Sequence, residues 1–403
     1  MKKILLSMVA LWAAITISFA ETKTEKSNPL EWSAGNTTAT IGGFIHVVAL
    51  TDFGGAIDSY NFIPAYTAVQ EKWQNDSRSQ ISASFSRLNF GITQKTEKLG
   101  DIKGYIEMDF RGVSGTVLRL RHAYVSFLGL TIGQTTSFAT DSKALAETVD
   151  RQGSNSRTNF RTPLIGYRQK LGKSFTAALS LEHPSALIFT GDYFKSAIDD
   201  SSAAAAITAN IGTASQRSPD VILYLMSSGS LGHIKATGIY RNLSYHNLLT
   251  EKVESRTGYG AELTGSLKPA KWLTLYGQAL YGKGIAKYIH DLSRIAVDLI
   301  PDNSANGTME AVGMYGGSVG VKAQLSPTVF ATSNFSRAVL EDGGESLYYP
   351  LLYSHGDYLS ASLFWSVINN MTLGAEYLFG SHTTLNGSYA QANRLQLMIR
   401  YNF

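Results

Sequence analysis

The nine residues Leu395-Gln396-Leu397-Met398-Ile399-Arg400-Tyr401-Asn402-Phe403 decide the fold class. Successive side chains of a β-strand point to opposite sides of the sheet. Leu395, Leu397, Ile399, Tyr401 and Phe403 would therefore share one face, and Gln396, Met398, Arg400 and Asn402 the other. One face is apolar and the other is mostly polar. This alternation predicts a strand with one side in an apolar environment and the other in water.

The same alternation recurs along the chain in segments of about ten residues, which is the pattern of membrane-spanning strands. Clear examples are 102–111, 175–182, 259–267, 319–325 and 373–379. Short connections alternate with long ones, among them the predicted loops 242–254 and 380–390, and an aromatic residue often closes the apolar face. The sequence therefore predicts an all-β, transmembrane, antiparallel up-and-down β-barrel of about 16 strands. Short periplasmic turns and long extracellular loops are expected.

The composition supports this class. Only 16% of the 403 residues are charged, against about 25% in an ordinary soluble domain. The chain lacks the runs of about 20 apolar residues that a helical membrane protein needs, and its aromatic content of 11% disfavours disorder. The absence of cysteine excludes disulfides and thiolate chemistry. A soluble sandwich or propeller is the alternative, but no repeat of about 40–50 residues is present.

The N-terminus has the pattern of a secretory signal peptide over residues 1–20. Lys2 and Lys3 precede the apolar run 4–17, and Ser18-Phe19-Ala20 is a small-x-small cleavage site. We expect cleavage after Ala20, a short periplasmic lead-in over 21–36 and a barrel domain over 37–403. Export and barrel together predict a location in the bacterial outer membrane. The net charge of +4 gives no reason to expect nucleic-acid binding.

The inner face of a barrel this large lines a water-filled channel, whose charges determine which solutes pass. Arg119 and Arg121 lie two residues apart in Leu118-Arg119-Leu120-Arg121-His122-Ala123-Tyr124. If Leu118, Leu120 and Tyr124 face lipid, both guanidinium groups project into the lumen. The preceding strand would add Lys103, Glu107, Asp109 and Arg111. Such a cationic row favours anions. A compatible alternative is that these charges pair with one another and stiffen the wall.

The long segment 138–159 follows the fifth predicted strand. In sixteen-stranded porins the third long loop commonly folds into the lumen and narrows it. Here it carries Arg151 and Arg157, and Arg161 and Arg168 lie on the next strand. We expect these four arginines to line the channel with the residues above. The alternative is a solvated surface loop.

Signals for catalysis are weak. The eight histidines are scattered and show no metal-ligand spacing. We expect no catalytic residue, no metal and no cofactor, and hence no enzyme. An outer-membrane barrel enzyme, or a structural or adhesive barrel without a conducting pore, is the alternative function.

Three strings carry a family resemblance. They are Leu99-Gly100-Asp101-Ile102-Lys103-Gly104-Tyr105-Ile106-Glu107-Met108-Asp109-Phe110, then the 118–124 segment, then Ile132-Gly133-Gln134-Thr135. Together with Ser86-Arg87-Leu88-Asn89-Phe90-Gly91 and Ile41-Gly42-Gly43-Phe44-Ile45, they resemble the DcaP-like trimeric porins of Gram-negative outer membranes. The resemblance covers about residues 40–185. It implies a sixteen-stranded, homotrimeric diffusion porin that prefers small anionic solutes such as dicarboxylates.

The terminal strand also resembles the C-terminal signature of outer-membrane barrels, with Phe403 as last residue and Tyr401 two before it. The resemblance implies that these two residues are an assembly signal for the barrel assembly machinery. Outer-membrane lipid and lipopolysaccharide are the other expected partners.

Overall fold

The computed structural model describes residues 30–403 apart from 56, 58–59, 68, 70–76, 113–116, 189–210, 296, 303–305 and 344–348. The predicted signal peptide therefore lies outside the described residues. No helix in the described part is long and apolar enough to cross a membrane. The strands are β1 (Leu30–Ala34), β2 (Thr37–Phe53), β3 (Arg78–Ser82), β4 (Arg87–Thr96), β5 (Gly100–Asp109), β6 (Arg119–Phe127), β7 (Leu130–Thr136), β8 (Arg161–Leu171), β9 (Phe175–Glu182), β10 (Ile211–Ala214), β11 (Asp220–Gly229), β12 (Gly232–Asn247), β13 (Lys252–Ala270), β14 (Leu273–Lys283), β15 (Leu299–Pro301), β16 (Met309–Ala311), β17 (Gly313–Gln324), β18 (Val329–Leu340), β19 (Tyr353–Ile368), β20 (Met371–Thr384) and β21 (Tyr389–Asn402).

These strands close into an antiparallel barrel. Each barrel strand pairs with the next along the chain, and β21 pairs back with β2 over Asn393–Asn402. β3 and β4 both pair with β2 and together act as one interrupted strand. The barrel thus has 16 strands: β2, β3 with β4, β5 to β9, β11 to β14 and β17 to β21. The predicted fold class is confirmed.

The seam between β2 and β21 involves the chain's last residue. The backbone N–H groups of Phe403 and Gly43 each donate to the other residue's carbonyl oxygen at 3.1 Å. β1 pairs with β2 just beyond, beginning with Leu30 opposite Ile41. The predicted lead-in therefore includes a short strand in place of an irregular segment. A Cβ on Gly43 would lie 2.2 Å from the carbonyl oxygen of Arg87, so only glycine allows this close approach of β4.

The two faces of the wall follow the predicted alternation. On β13, Leu263 and Leu267 face outward and are about half exposed, whereas Glu262 and Thr264 are buried on the inside. The most extensive cluster of buried apolar residues in the described part lies inside the barrel, around Phe138, Tyr288 and Tyr349, where loops fold inward. The outer surface presents the apolar band that a membrane requires, since no water is available there for polar groups.

A β-bulge in β6 places Tyr124 on the opposite side of the wall from the one predicted. Glu107 pairs with His122 and Met108 with Leu120, which leaves Arg121 as the extra residue. A bulge shifts the alternation by one position. Tyr124 therefore faces inward, with its ring centroid 5.7 Å from that of Tyr105, and not toward lipid as predicted.

Two connections predicted as long loops are mostly strand. β12 and β13 extend through much of 242–254, and β20 and β21 extend through much of 380–390. Both segments are rich in polar side chains, which suggested loops. In the structure Leu243 and Tyr245 are fully buried beneath the 284–312 loop, so the end of β12 is stabilised from inside.

Candidate functional site

The loop between β7 and β8, hereafter L3 (residues 137–160), crosses the barrel interior. Its backbone N–H groups at Val149 and Asp150 donate to the carboxylate of Glu376 on β20 at 2.9 and 2.6 Å. Further along, the Ser156 hydroxyl donates to the Gly317 carbonyl oxygen on β17 at 2.9 Å. Because β17 and β20 are far from β7 around the barrel, these contacts place L3 across the lumen and not on the surface.

The beginning of L3 is held by the wall formed by β12 and β13. Lys235 donates from Nζ to the carbonyl oxygens of Phe138, Ala139 and Thr140 at 2.7, 2.8 and 3.1 Å. Asp141 accepts from the Thr264 hydroxyl at 2.6 Å and lies 2.8 Å from His233 Nε2. L3 is therefore bonded to the wall near its beginning, in its middle and toward its end, and it lies across the lumen.

L3 and the wall beside it enclose a cavity of about 670 Å³. Among the described residues that line it, nine are arginines and two are carboxylates, Glu147 and Asp150. Glu147 bonds Lys322 at 3.0 Å, and Asp150 accepts backbone N–H bonds from Gln152 and Gly153. The arginines are Arg87, Arg111, Arg119, Arg121, Arg151, Arg157, Arg161, Arg294 and Arg400.

Three of these arginines share two buried carboxylates just behind the cavity surface. Arg119 bonds Asp109 through Nε at 2.9 Å and Nη2 at 2.7 Å. Arg121 bridges Glu107 at 3.0 Å and Asp109 at 2.5 Å, and Arg87 bonds Glu107 at 3.1 Å. The guanidinium groups of this strand thus line the cavity and are also paired with carboxylates.

Three arginines of the cavity, Arg87 among them, lie around one aromatic ring. The guanidinium carbons of Arg400, Arg87 and Arg151 lie 4.1, 5.3 and 5.9 Å from the centroid of the Phe44 ring. Each position is within the distance of a cation–π attraction. Burial and the neighbouring Arg87 and Arg400 lower the pKa of Arg151. A bound anion would relieve this crowding of like charges.

The structure brings most of the predicted channel residues together. Arg111, Arg119, Arg121, Arg151, Arg157 and Arg161 line the cavity, and Glu107 and Asp109 lie behind them. Two predicted residues do not line it. Lys103 lies exposed near the periplasmic end of β5. Arg168 remains exposed outside this cavity, with its Nε donating to the Tyr224 hydroxyl at 3.1 Å and its guanidinium carbon 3.6 Å from the centroid of the Phe138 ring of L3.

Sequence reasoning missed three arginines of the cavity. Arg400 lies on the polar face of the terminal strand, and Arg87 lies within the 86–91 string that carries the resemblance. Alternation alone predicts that both side chains face inward, and placing their strands side by side in the barrel brings them together. Arg294 comes from the 284–312 loop, and no local pattern indicates that this loop turns inward.

A model of the DcaP outer membrane protein family matches residues 8–183. The predicted resemblance to the DcaP family is confirmed there. The crystal structure of the outer membrane channel DcaP of Acinetobacter baumannii has a TM-score of 0.77 at 20% identity, covering 92% of this chain and 99% of that chain. No curated protein sequence matches the chain.

Two further structures share the fold at lower similarity. An anion-selective porin from Comamonas acidovorans has a TM-score of 0.56 at 12% identity, covering 91% of this chain and 100% of that chain. The trimer form of OmpT from Vibrio cholerae also has a TM-score of 0.56 at 12% identity, covering 92% and 100%. The barrel and the DcaP family match place the protein in the outer membrane, with the fold of a porin.

Proposed function

We propose that the protein is a passive diffusion porin that prefers small anionic solutes such as dicarboxylates. The observation that carries the proposal is the cavity beside L3, whose described lining contains nine arginines and only two carboxylates. A guanidinium fork matches a carboxylate with two parallel hydrogen bonds. Rings of arginine in a narrow aqueous pore also raise the local concentration of anions.

We further propose that three copies associate through the wall formed by β5 to β7. β7 has 7 residues, whereas a strand that crosses a bilayer needs about 9–11. Gln134 on the outer face of β7 donates to the carbonyl oxygen of Leu120 at 3.0 Å. A short, partly polar wall fits against protein better than against lipid. The barrel assembly machinery and lipopolysaccharide remain predicted partners.

Planar-bilayer recording tests the solute preference. The purified protein should give a reversal potential in a KCl gradient that shows anions crossing more easily than cations. In liposome swelling, a dicarboxylate should enter faster than a neutral sugar of similar size. Cation preference, or the absence of conductance from correctly assembled protein, would reject the proposal.

The association is tested separately by mass measurement of the protein in detergent. Three chains are expected, and substitution of Gln134 by Trp on the outer face should weaken the assembly. A stable monomer would remove the proposed trimer and leave the proposed channel untouched.

A further inference from the structure

We infer that the loop over residues 284–312, hereafter L6, orients Arg157 of L3 toward the cavity, with His290 as its positioning residue. The positioning of Arg157 is independent of the proposed anion preference, and only its consequence for which solutes pass rests on that proposal. L6 itself adds two side chains to the cavity, His290 and Arg294. Its main effect comes from the hydrogen bonds that it forms with the wall and with L3.

L6 is fastened to the wall by buried charges. Asp298 accepts from Arg241 Nη1 on β12 at 2.8 Å and from the Ala286 backbone N–H at 2.7 Å. Lys287 bonds Asp220, the first residue of β11, at 3.0 Å. Arg241, Asp220 and Asp298 are completely buried. Removing one partner of such a set leaves an uncompensated buried charge, so the base of L6 is fixed.

From this base, L6 bonds a continuous stretch of L3. The Asp291 backbone N–H donates to the Asn155 carbonyl oxygen at 2.9 Å, and Asn155 Nδ2 donates to the Asp291 carboxylate at 3.1 Å. The Thr158 hydroxyl donates to the Tyr288 carbonyl oxygen at 2.7 Å. Except for Arg157, which extends into the cavity, this stretch of L3 is buried.

His290 connects this contact to the cavity. Its Nε2 lies 2.9 Å from the Asn159 carbonyl oxygen, which can only accept, so Nε2 carries the proton. Its Nδ1 therefore accepts from Arg157 Nε, at 3.3 Å. The Arg157 Nη2 donates to the Arg151 carbonyl oxygen at 3.1 Å. These two bonds hold the guanidinium of Arg157 in one orientation toward the cavity, and one of them comes from L6.

The test is a double-mutant cycle between His290 and Arg157, read as the anion-to-cation permeability ratio in 0.1 M KCl. Withdrawing the guanidinium from about 6 Å to about 10 Å from a passing ion changes this ratio about twofold. His290→Ala should therefore lower the ratio about twofold in the wild-type background. It should have no further effect in the Arg157→Gln background, because the group that it orients is absent.

Two conservative variants separate positioning from general packing. His290→Asn places a carbonyl oxygen near the position of Nδ1 and should keep the wild-type ratio, whereas His290→Gln reaches the position of Nε2 and should not. They also carry the test if His290→Ala does not assemble. His246→Ala, an exposed histidine on β12, is the matched control.

Three results would overturn the inference. They are an unchanged ratio in assembled His290→Ala, an equal effect of His290→Ala with and without Arg157, and equal behaviour of the Asn and Gln variants. The sign of the wild-type reversal potential tests the proposed function independently, because the cycle measures a coupling whichever ion is preferred.

Discussion

Arg400→Gln tests how far one arginine of the cavity sets ion selectivity. Arg400 lies on β21, its Nε donates to Asn402 Oδ1 at 3.0 Å, and its guanidinium lies over the Phe44 ring. It forms no ion pair with a carboxylate of the described residues within 4.0 Å. Glutamine keeps a hydrogen-bonding side chain of moderate length and removes one positive charge from the lumen.

The expected magnitude follows from Coulomb's law. A unit charge attracts an ion about 6 Å away by about 0.7 kcal/mol in bulk water. Screening with a Debye length of about 10 Å in 0.1 M salt reduces this to about 0.4 kcal/mol. Anions lose this attraction and cations lose the equal repulsion, so the permeability ratio should fall about fourfold. In 1 M salt, where the Debye length is about 3 Å, the change should shrink to about 1.4-fold.

The assay is the reversal potential of single channels in KCl gradients at both ionic strengths. The matched control is Arg119→Gln with Asp109→Asn, which removes one arginine and one carboxylate, together with the bond of Asp109 to Arg121, and leaves the net charge of the lumen unchanged. The control should keep the wild-type ratio. An unchanged ratio in assembled Arg400→Gln at 0.1 M salt would refute the reasoning, as would an equal fall in the charge-neutral control.

Three further outcomes are expected. Deleting Phe403 removes both backbone bonds to Gly43 and should reduce the amount of heat-modifiable, assembled protein on gels. Gly43→Ala should abolish assembly because its Cβ would collide with the Arg87 carbonyl oxygen, whereas Gly277→Ala should assemble normally because nothing lies within 4 Å of its Cβ; equal yields would contradict this. Burial in L6 raises the pKa of Asp291 from 3.8 to about 7. The folded protein therefore keeps a proton that the unfolded chain loses above about pH 4, and stability should fall as the pH rises toward about 7. A Tm with the same pH dependence in Asp291→Asn would contradict this origin.

The barrel could be predicted because its signal is local. A strand that separates lipid from water must alternate along its own residues, as Leu395 to Phe403 do, and each strand repeats this independently of its neighbours. The same reasoning placed Arg119 and Arg121 in the lumen. It gave the wrong side for Tyr124, because the bulge at Arg121 depends on the pairing of β6 with β5 and leaves no mark in the alternation.

The cavity was only partly predictable, since its members come from distant parts of the chain. Arg87 and Arg400 meet at Phe44 only because β2 lies between β4 and β21 in the closed barrel. Arg168 follows the alternation inward but lies against Phe138 of L3, outside the arginine-lined cavity. Whether a loop enters a barrel depends on wall residues such as Lys235 and Glu376, which are unremarkable in their own strands.

The attachment of L3 to the wall has a consequence for amide hydrogen exchange. Loop amides usually exchange quickly because they open to solvent without the rest of the protein. The N–H groups of Val149, Asp150 and Asn155 bond instead to buried side chains of β18 and β20. Opening them requires L3 to detach from buried partners in the wall, so they should exchange more slowly than ordinary loop amides. L3 then behaves as a fixed partition, and any closure of the channel must originate in other segments.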